Sequence, residues 1–418
     1  KLMNMDNPRQ LSWTVRGKTE HEEKKEKEEK EEKENYVPQE FQAVTDNTTI
    51  QHKSIVALSD DVLKHIFGFV EEYDMCLLKS VSKSFKAIVK LSLVTGLNFT
   101  DEHYLQNDKS YLLSYNPAVF KNLKVLICNN MQLTEIPNIV GLRKLICYNN
   151  QLTEIPHFAG LEELDCSNNQ LTTIPNIIGL KVLYCSYNLL TAFPCIEGLE
   201  FLNCSNNDLT EISNIAGLEY LDCSRNQLTV IPNIVGLRDL NCSVNQLTEM
   251  PYIEGLNVLN CSRNRLTDIP NIVGLRNLDC SHNQLAGFPN IVGLRRLDCS
   301  RNQLTDIPNI VGLEFLDCSR NQLTEFPNIV GLRDLCCSYN QLTEIPNIVG
   351  LKVLECYFNR LTEVPNIEGL KILDCRVNRL TQIPSIVGLK FLKCSFNRLT
   401  QIPAIVGLEV LKCDFNLF

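Results

Sequence analysis

Leucine returns every nineteen residues from Leu123 to Leu408, through Leu142, Leu161, Leu180, Leu199 and Leu218 and onward to Leu389, without a slip of register. Repetition at so short a period decides the architecture, because one such unit cannot bury its own apolar face and must stack on its neighbours. A typical unit, starting at Leu294, runs L-R-R-L-D-C-S-R-N-Q-L-T-D-I-P-N-I-V-G. Counting Leu294 as position one gives each place in the coil a number.

Positions one, four, six and eleven (Leu294, Leu297, Cys299, Leu304) are apolar and are expected to point inward. This L-x-x-L-x-C spacing resembles the leucine-rich-repeat family, and the resemblance implies a short parallel strand at positions three to seven, stacked about 4.8 Å from its equivalents. Alternation across a strand then turns positions three, five and seven outward. Position nine is Asn in unit after unit (Asn150, Asn169, Asn188, Asn226, Asn302, Asn416), which suits hydrogen bonding to backbone where the chain leaves the strand, copies stacking as a ladder. Met131 stands there in the first unit. Pro at position fifteen, with Ser213 the exception, extends its own and the preceding residue, so the return side is expected to be extended rather than helical. Gly at position nineteen (Gly141, Gly160, Gly312) supplies the backbone freedom to enter the next strand.

This L-x-x-L-x-C-x-x-N-x-L pattern resembles the leucine-rich-repeat family from Leu123 onward. The resemblance implies a solenoid of short 19-residue coils, with parallel strands on a concave face and an extended convex side. Most of the 19 cysteines then have a packing role: Cys128, Cys147, Cys166 and onward to Cys413 all fall on position six, where Cys serves as a small apolar residue. A single-file column cannot converge on a metal tetrahedrally, so packing is favoured over metal or redox chemistry, and the thiols are expected to be free. Cys76, Cys195 and Cys336 lie off the column.

Ahead of the repeats the chain changes character twice. Residues 1–53 are read as a charged tail. Lys18 to Glu34 is almost all Glu and Lys, which makes a solvated disordered tract or a lone charged helix. Residues 54–91 turn helical: Val62, Leu63, Ile66, Phe67 and Val70 share one face, with Ser59 at the N-cap and Asp60 and Asp61 in the first turn. Two further short helices carry Leu77, Leu78 and Val81, then Phe85, Ile88 and Val89. Residues 92–122 are read as linker and N-terminal cap, and 123–418 as the solenoid.

The run from Leu58 through Ile66-Phe67, then Asp74-Met75, then Val81-Ser82-Lys83-Ser84-Phe85, looks like an F-box, with Ser59 in place of the usual proline and Met75 in place of leucine. The bland alternative is a three-helix cap for the solenoid. The resemblance implies that Leu58, Val62, Leu63, Ile66, Phe67, Val81 and Phe85 dock on a Skp-type adaptor that joins a cullin ubiquitin ligase, while the repeats hold a target protein. An interaction scaffold with no ubiquitin role is the rival. An F-box followed by many near-identical short repeats is also similar to proteins encoded by large DNA viruses of amoebae.

The formal charge of −9 argues against nucleic acid as a partner. No apolar run reaches membrane-spanning length and no secretory leader is apparent, so a cytoplasmic protein is expected, in the host cytoplasm if viral. No phosphate loop, metal-ligand spacing or activated nucleophile stands out, so neither an enzyme nor a cofactor is expected. Asp279, Asp298 and Asp317 stack at position five with Arg301 and Arg320 at position eight beside them, which favours a surface charge network over a cation site. For the target the candidates are Val353 and Ile372 with Phe391 at position three, and Phe358, Val377 and Phe396 at position eight, two apolar stripes flanking Glu355, Asp374, Lys393 and Lys412. The competing reading makes these residues packing rather than a site.

Overall fold

A computed structural model describes residues 122–418 and the strand Gly96–Asn98. The charged tail and the F-box-like segment lie outside the described residues. From Asn122 onward the coils follow one another at the nineteen-residue period, and the described strands form one 17-stranded parallel sheet. Strand β1 (Gly96–Asn98) pairs with β2 (Val125–Ile127), and β3 (Lys144–Ile146) follows one coil later. Each further strand to β17 (Val410–Lys412) pairs in register with its predecessor, as Leu278 does with Leu297 and Leu297 with Leu316. No described segment is helical, and none forms a helix long and apolar enough to cross a membrane.

The core is a set of columns. Leu294, Leu297, Cys299 and Leu304 are fully buried, as positions one, four, six and eleven require. Two more columns join them: Ile307 at position fourteen is 5% exposed and Ile310 at position seventeen is buried outright. The return side therefore also contributes to the core, because Pro at fifteen extends the chain and aims its flanking isoleucines back between the coils.

The strands are shorter than positions three to seven; each covers positions three to five, three residues. Hydrogen bonding sets this limit. The position-six amide still continues the ladder, Cys280 N–H to Asp298 O at 2.8 Å. Its carbonyl, however, accepts two asparagine side-chain donors, Asn283 Nδ2 at 3.0 Å and Asn302 Nδ2 at 3.1 Å. The ladder stops where the asparagines take over. Nor does position seven face outward in every coil: Ser281 and Ser338 are buried, while Tyr148 is exposed.

Each Asn bridges two coils through backbone rather than bonding to the next Asn. Asn302 Oδ1 accepts the Leu285 N–H of the preceding coil at 3.0 Å, and Nδ2 donates to Cys299 O at 3.0 Å besides Cys280 O. Position eight, just before it, is left-handed in every coil, with φ between 53° and 59° from Asn130 to Phe415, whatever its residue. At the other turn Gly312 has φ +89°, and Leu313 N–H closes back on Ile310 O at 3.3 Å.

Candidate functional site

Because position four points into the core, positions three and five of every strand emerge on the opposite face, and the left-handed residue at position eight forms a ledge beside them. In the last coils Val353, Ile372 and Phe391 pair residue to residue across consecutive strands and are half-buried. On the ledge Phe358 is 44% and Phe396 51% exposed, with Val377 half-buried between them. Phe358 stacks on Tyr339 with ring centres 4.5 Å apart, and Phe396 on Phe415 at 4.4 Å. The position-three stripe is thus continuous over these strands and half-buried, and the position-eight residues are more exposed, with ring stacking at each end of their run.

The charged centre between them differs from expectation at Asp374. This carboxylate is buried rather than presented: Arg376 Nε and an Arg376 terminal nitrogen each donate to it at 2.8 Å, and Lys393 Nζ lies 3.6 Å away. A carboxylate on so apolar a face is tolerable only with such partners. The same guanidinium lies 5.2 Å from the ring centre of Tyr357, so the cluster pins side chains across three coils.

A second aromatic patch escaped sequence reasoning. Tyr184 packs against Phe201 at 4.8 Å, and Phe201 stacks almost parallel on Tyr220 at 4.2 Å. Partial burial, with the Asp222 and Asp239 carboxylates nearby, pushes the Tyr220 phenol up to about 12. The signal is aromatic residues at positions five, three and three of successive units, which no stripe at a single position displays.

The acidic row at position five is real, but its partners are not the neighbouring arginines. Asp279, Asp298 and Asp317 each accept the N–H of the serine two residues on, at 3.0, 2.9 and 2.9 Å. Burial, then repulsion from Asp317 and Asp279, raises Asp298 to about 7. Among the described residues neither Arg301 nor Arg320 forms an ion pair with the row, and Arg320 lies over the Tyr339 ring at 4.0 Å. The charge network expected here is therefore one without contact ion pairs: Arg263 favours the charged form of Asp279, and Asp317 that of Arg301. Separation by the intervening turn leaves the carboxylates to backbone amides and the guanidiniums to the ledge.

The cysteine column is buried from end to end of the array's interior, Cys147 through Cys394 having no exposed surface. Burial pushes these thiols well up, Cys128 to about 12, which suppresses the reactive thiolate. Cys195 is exposed. Among the described residues no group of three or more His, Cys, Asp or Glu side chains is arranged to hold a metal ion.

The residues expected to meet an adaptor (Leu58, Val62, Leu63, Ile66, Phe67, Val81 and Phe85) lie outside the described residues. In sequence, however, residues 55–95 match the F-box domain family. Residues 140–179 match the family of leucine-rich repeats in two copies, and 217–237 the single leucine-rich repeat. No curated protein matches the chain. Among solved structures the fold is similar to YopM, a leucine-rich effector protein from Yersinia pestis, at 27% identity and TM-score 0.62, covering 69% of this chain and 88% of that one. YopM from Yersinia enterocolitica aligns at 25% identity and TM-score 0.60, over 86% of this chain and 96% of that one. A leucine-rich-repeat protein of Leptospira interrogans, at 24% identity and TM-score 0.58 over 70% and 85%, shares the fold.

Proposed function

We propose that this protein is a substrate receptor of a ubiquitin ligase, whose F-box joins a Skp-type adaptor and through it a cullin, and whose solenoid holds a target protein. The observation that carries this reading is the F-box match at residues 55–95 in the same chain as a long run of leucine-rich coils, a fold that is typically a non-enzymatic binding scaffold. Leu58, Val62, Leu63, Ile66, Phe67, Val81 and Phe85 supply the adaptor contact. Val353, Phe358, Ile372, Val377, Phe391 and Phe396 supply an apolar part of the target surface, where stacked half-exposed rings lose water on contact. The Yersinia pestis neighbour is a leucine-rich effector protein, and the resemblance to amoeba-virus proteins extends the reading to a ligase of the host cytoplasm.

The test is co-purification with a Skp-type adaptor. Replacing Ile66 and Phe67 together by Asp is expected to abolish it while leaving the circular dichroism of the solenoid unchanged. If the unmodified chain binds no such adaptor at micromolar concentration, the ligase reading fails and an interaction scaffold without ubiquitin remains. For the apolar stripes, Phe358, Phe391 and Phe396 are changed to Ser together. Lost target capture at unchanged melting temperature supports a binding role, and intact capture with a large fall in melting makes them packing.

A further inference from the structure

Charges on this solenoid are handled in two opposite ways. Along position two, neighbouring coils pair: Lys181 with Glu200 at 2.8 Å, Arg238 with Glu219 at 4.0 Å, Arg295 with Glu314 at 3.5 Å and Lys390 with Glu409 at 2.8 Å. Along position eight they do not. Arg263, His282, Arg301 and Arg320 occupy it in four successive coils, and among the described residues none of them forms an ion pair. Arginine stays charged in proteins, so the row cannot relieve its repulsion by losing protons. Histidine can, and burial with the three flanking guanidiniums lowers His282 to about 4. Its Nδ1 is a buried side-chain nitrogen with no hydrogen-bond partner.

The basic row continues without a break into an aromatic one. Arg320 lies over the Tyr339 ring at 4.0 Å, and Tyr339 stacks on Phe358 at 4.5 Å. From Arg263 to Phe358 the backbone at this position keeps φ between 53° and 56°, so the side chains leave their turns in the same direction. At about 4.8 Å per coil, the reach from Arg263 to Arg320 is about 14 Å, room for about four residues of extended chain.

We propose that this ledge binds an extended peptide segment of the target, with acidic residues opposite Arg263, Arg301 and Arg320 and adjoining apolar or aromatic residues on Tyr339 and Phe358. It rests on the reading of the solenoid as the target-holding surface, and is independent of the adaptor. Guanidinium forks match carboxylates in geometry as well as charge, and the aromatic continuation gives the segment a direction. A peptide fits better than a nucleic acid. The Asp279, Asp298 and Asp317 row runs beside the ledge in overlapping coils, which a continuous polyanion would meet and a segment with spaced carboxylates can avoid.

The probe is a fluorescein-labelled peptide in which glutamates alternate with serines, followed by alternating phenylalanine and leucine, titrated into the full chain by fluorescence anisotropy at low and high salt. The expected result is micromolar binding that weakens with salt and falls at least about tenfold when Arg263, Arg301 and Arg320 become Gln. Phe358→Ser is expected to weaken it independently, and the same peptide with lysines for glutamates to fail. Bound peptide is also expected to raise the titration midpoint of His282, followed by NMR. The urea midpoint of the triple variant checks that its fold is intact. Equal binding by the folded triple variant, no binding at about 1 mM, or tighter binding of a single-stranded oligonucleotide would each overturn the proposal. A Skp-type adaptor is assayed on the same preparations. Adaptor failure with peptide bound removes only the ligase reading, and peptide failure with adaptor bound removes only the ledge.

Discussion

Replacing Asn302 by Ala tests what holds one coil to the next. The side chain sits between two coils and meets four backbone groups: it accepts from Leu285 N–H at 3.0 Å and donates to Cys280 O, Cys299 O and Ser300 O at 3.1, 3.0 and 3.3 Å. Its removal leaves the amide of the fully buried Leu285 with no acceptor, which costs about 1–3 kcal/mol. The lost carbonyl contacts add about 1 kcal/mol for each strong one, partly recovered because those oxygens keep other donors, among them Asn283 Nδ2 on Cys280 O. The expected loss is therefore about 3–4 kcal/mol, concentrated in two coils. Because a solenoid's stability is a sum of nearest-neighbour terms, local hydrogen exchange is a better assay than a global melt. Exchange of the Leu285 amide and its neighbours should accelerate by about a hundredfold or more, with coils near Leu161 unaffected. Asn302→Asp should be worse, since a carboxylate can still accept from Leu285 N–H but faces three carbonyls with no proton to give. A change under about 1 kcal/mol in Asn302→Ala, or an acceleration spread evenly over the array, would refute the bridging account.

Three further outcomes are expected. Val244, β-branched yet held at φ 56°, should be improved by Val244→Asn, raising stability by about 1 kcal/mol in urea; no gain would mean that the turn carries no strain. Asp298 has its folded pKa raised to about 7 by burial and by Asp317 and Asp279, so its protonated form favours folding, and stability should fall as pH rises from about 4 through 7; Asp298→Asn, which keeps an acceptor for the Ser300 N–H, should flatten that slope, and an unchanged slope would refute the assignment. In native protein a thiol reagent should modify exposed Cys195 well before any cysteine of the buried column, which should react only on unfolding, and early modification of Cys299 would contradict the packing role.

What was legible in the sequence was whatever the stacking repeats. Leu294, Leu297, Cys299 and Leu304 face the same residues in the next coil, so a position that must be apolar in one coil must be apolar in the next, and the period displays it. The Asn column was legible as structural, but not its bonding: period alone cannot distinguish an Asn bonded to its own kind from one bonded to two backbones. Ile307 and Ile310 are buried outside the inward set, because Pro308 between them signals an extended backbone and says nothing of burial. The outward face was harder to read. Asp374 reads as a surface charge until Arg376, two residues on, and Lys393, one coil on, are seen to enclose it. Tyr184, Phe201 and Tyr220 form a patch only through contacts that cross from position five to position three.

The ledge shows where the sequence departs from what the backbone prefers. A left-handed φ suits Asn or Gly, and the first coils comply, with Asn130, Asn149 and Asn168 at position eight. From Arg225 onward the same geometry is imposed on Arg, Val, His, Tyr and Phe, each costing about 1–2 kcal/mol relative to a residue that tolerates it. Strain kept over successive coils, on a row whose charges find no ion-pair partner among the described residues, is explained by what the side chains do rather than by what they hold together. Asparagine at Arg263, Arg301 and Arg320 should accordingly stabilise the solenoid while weakening its grip on an acidic segment. Variants that gained stability and kept that grip would show that the ledge is only a turn.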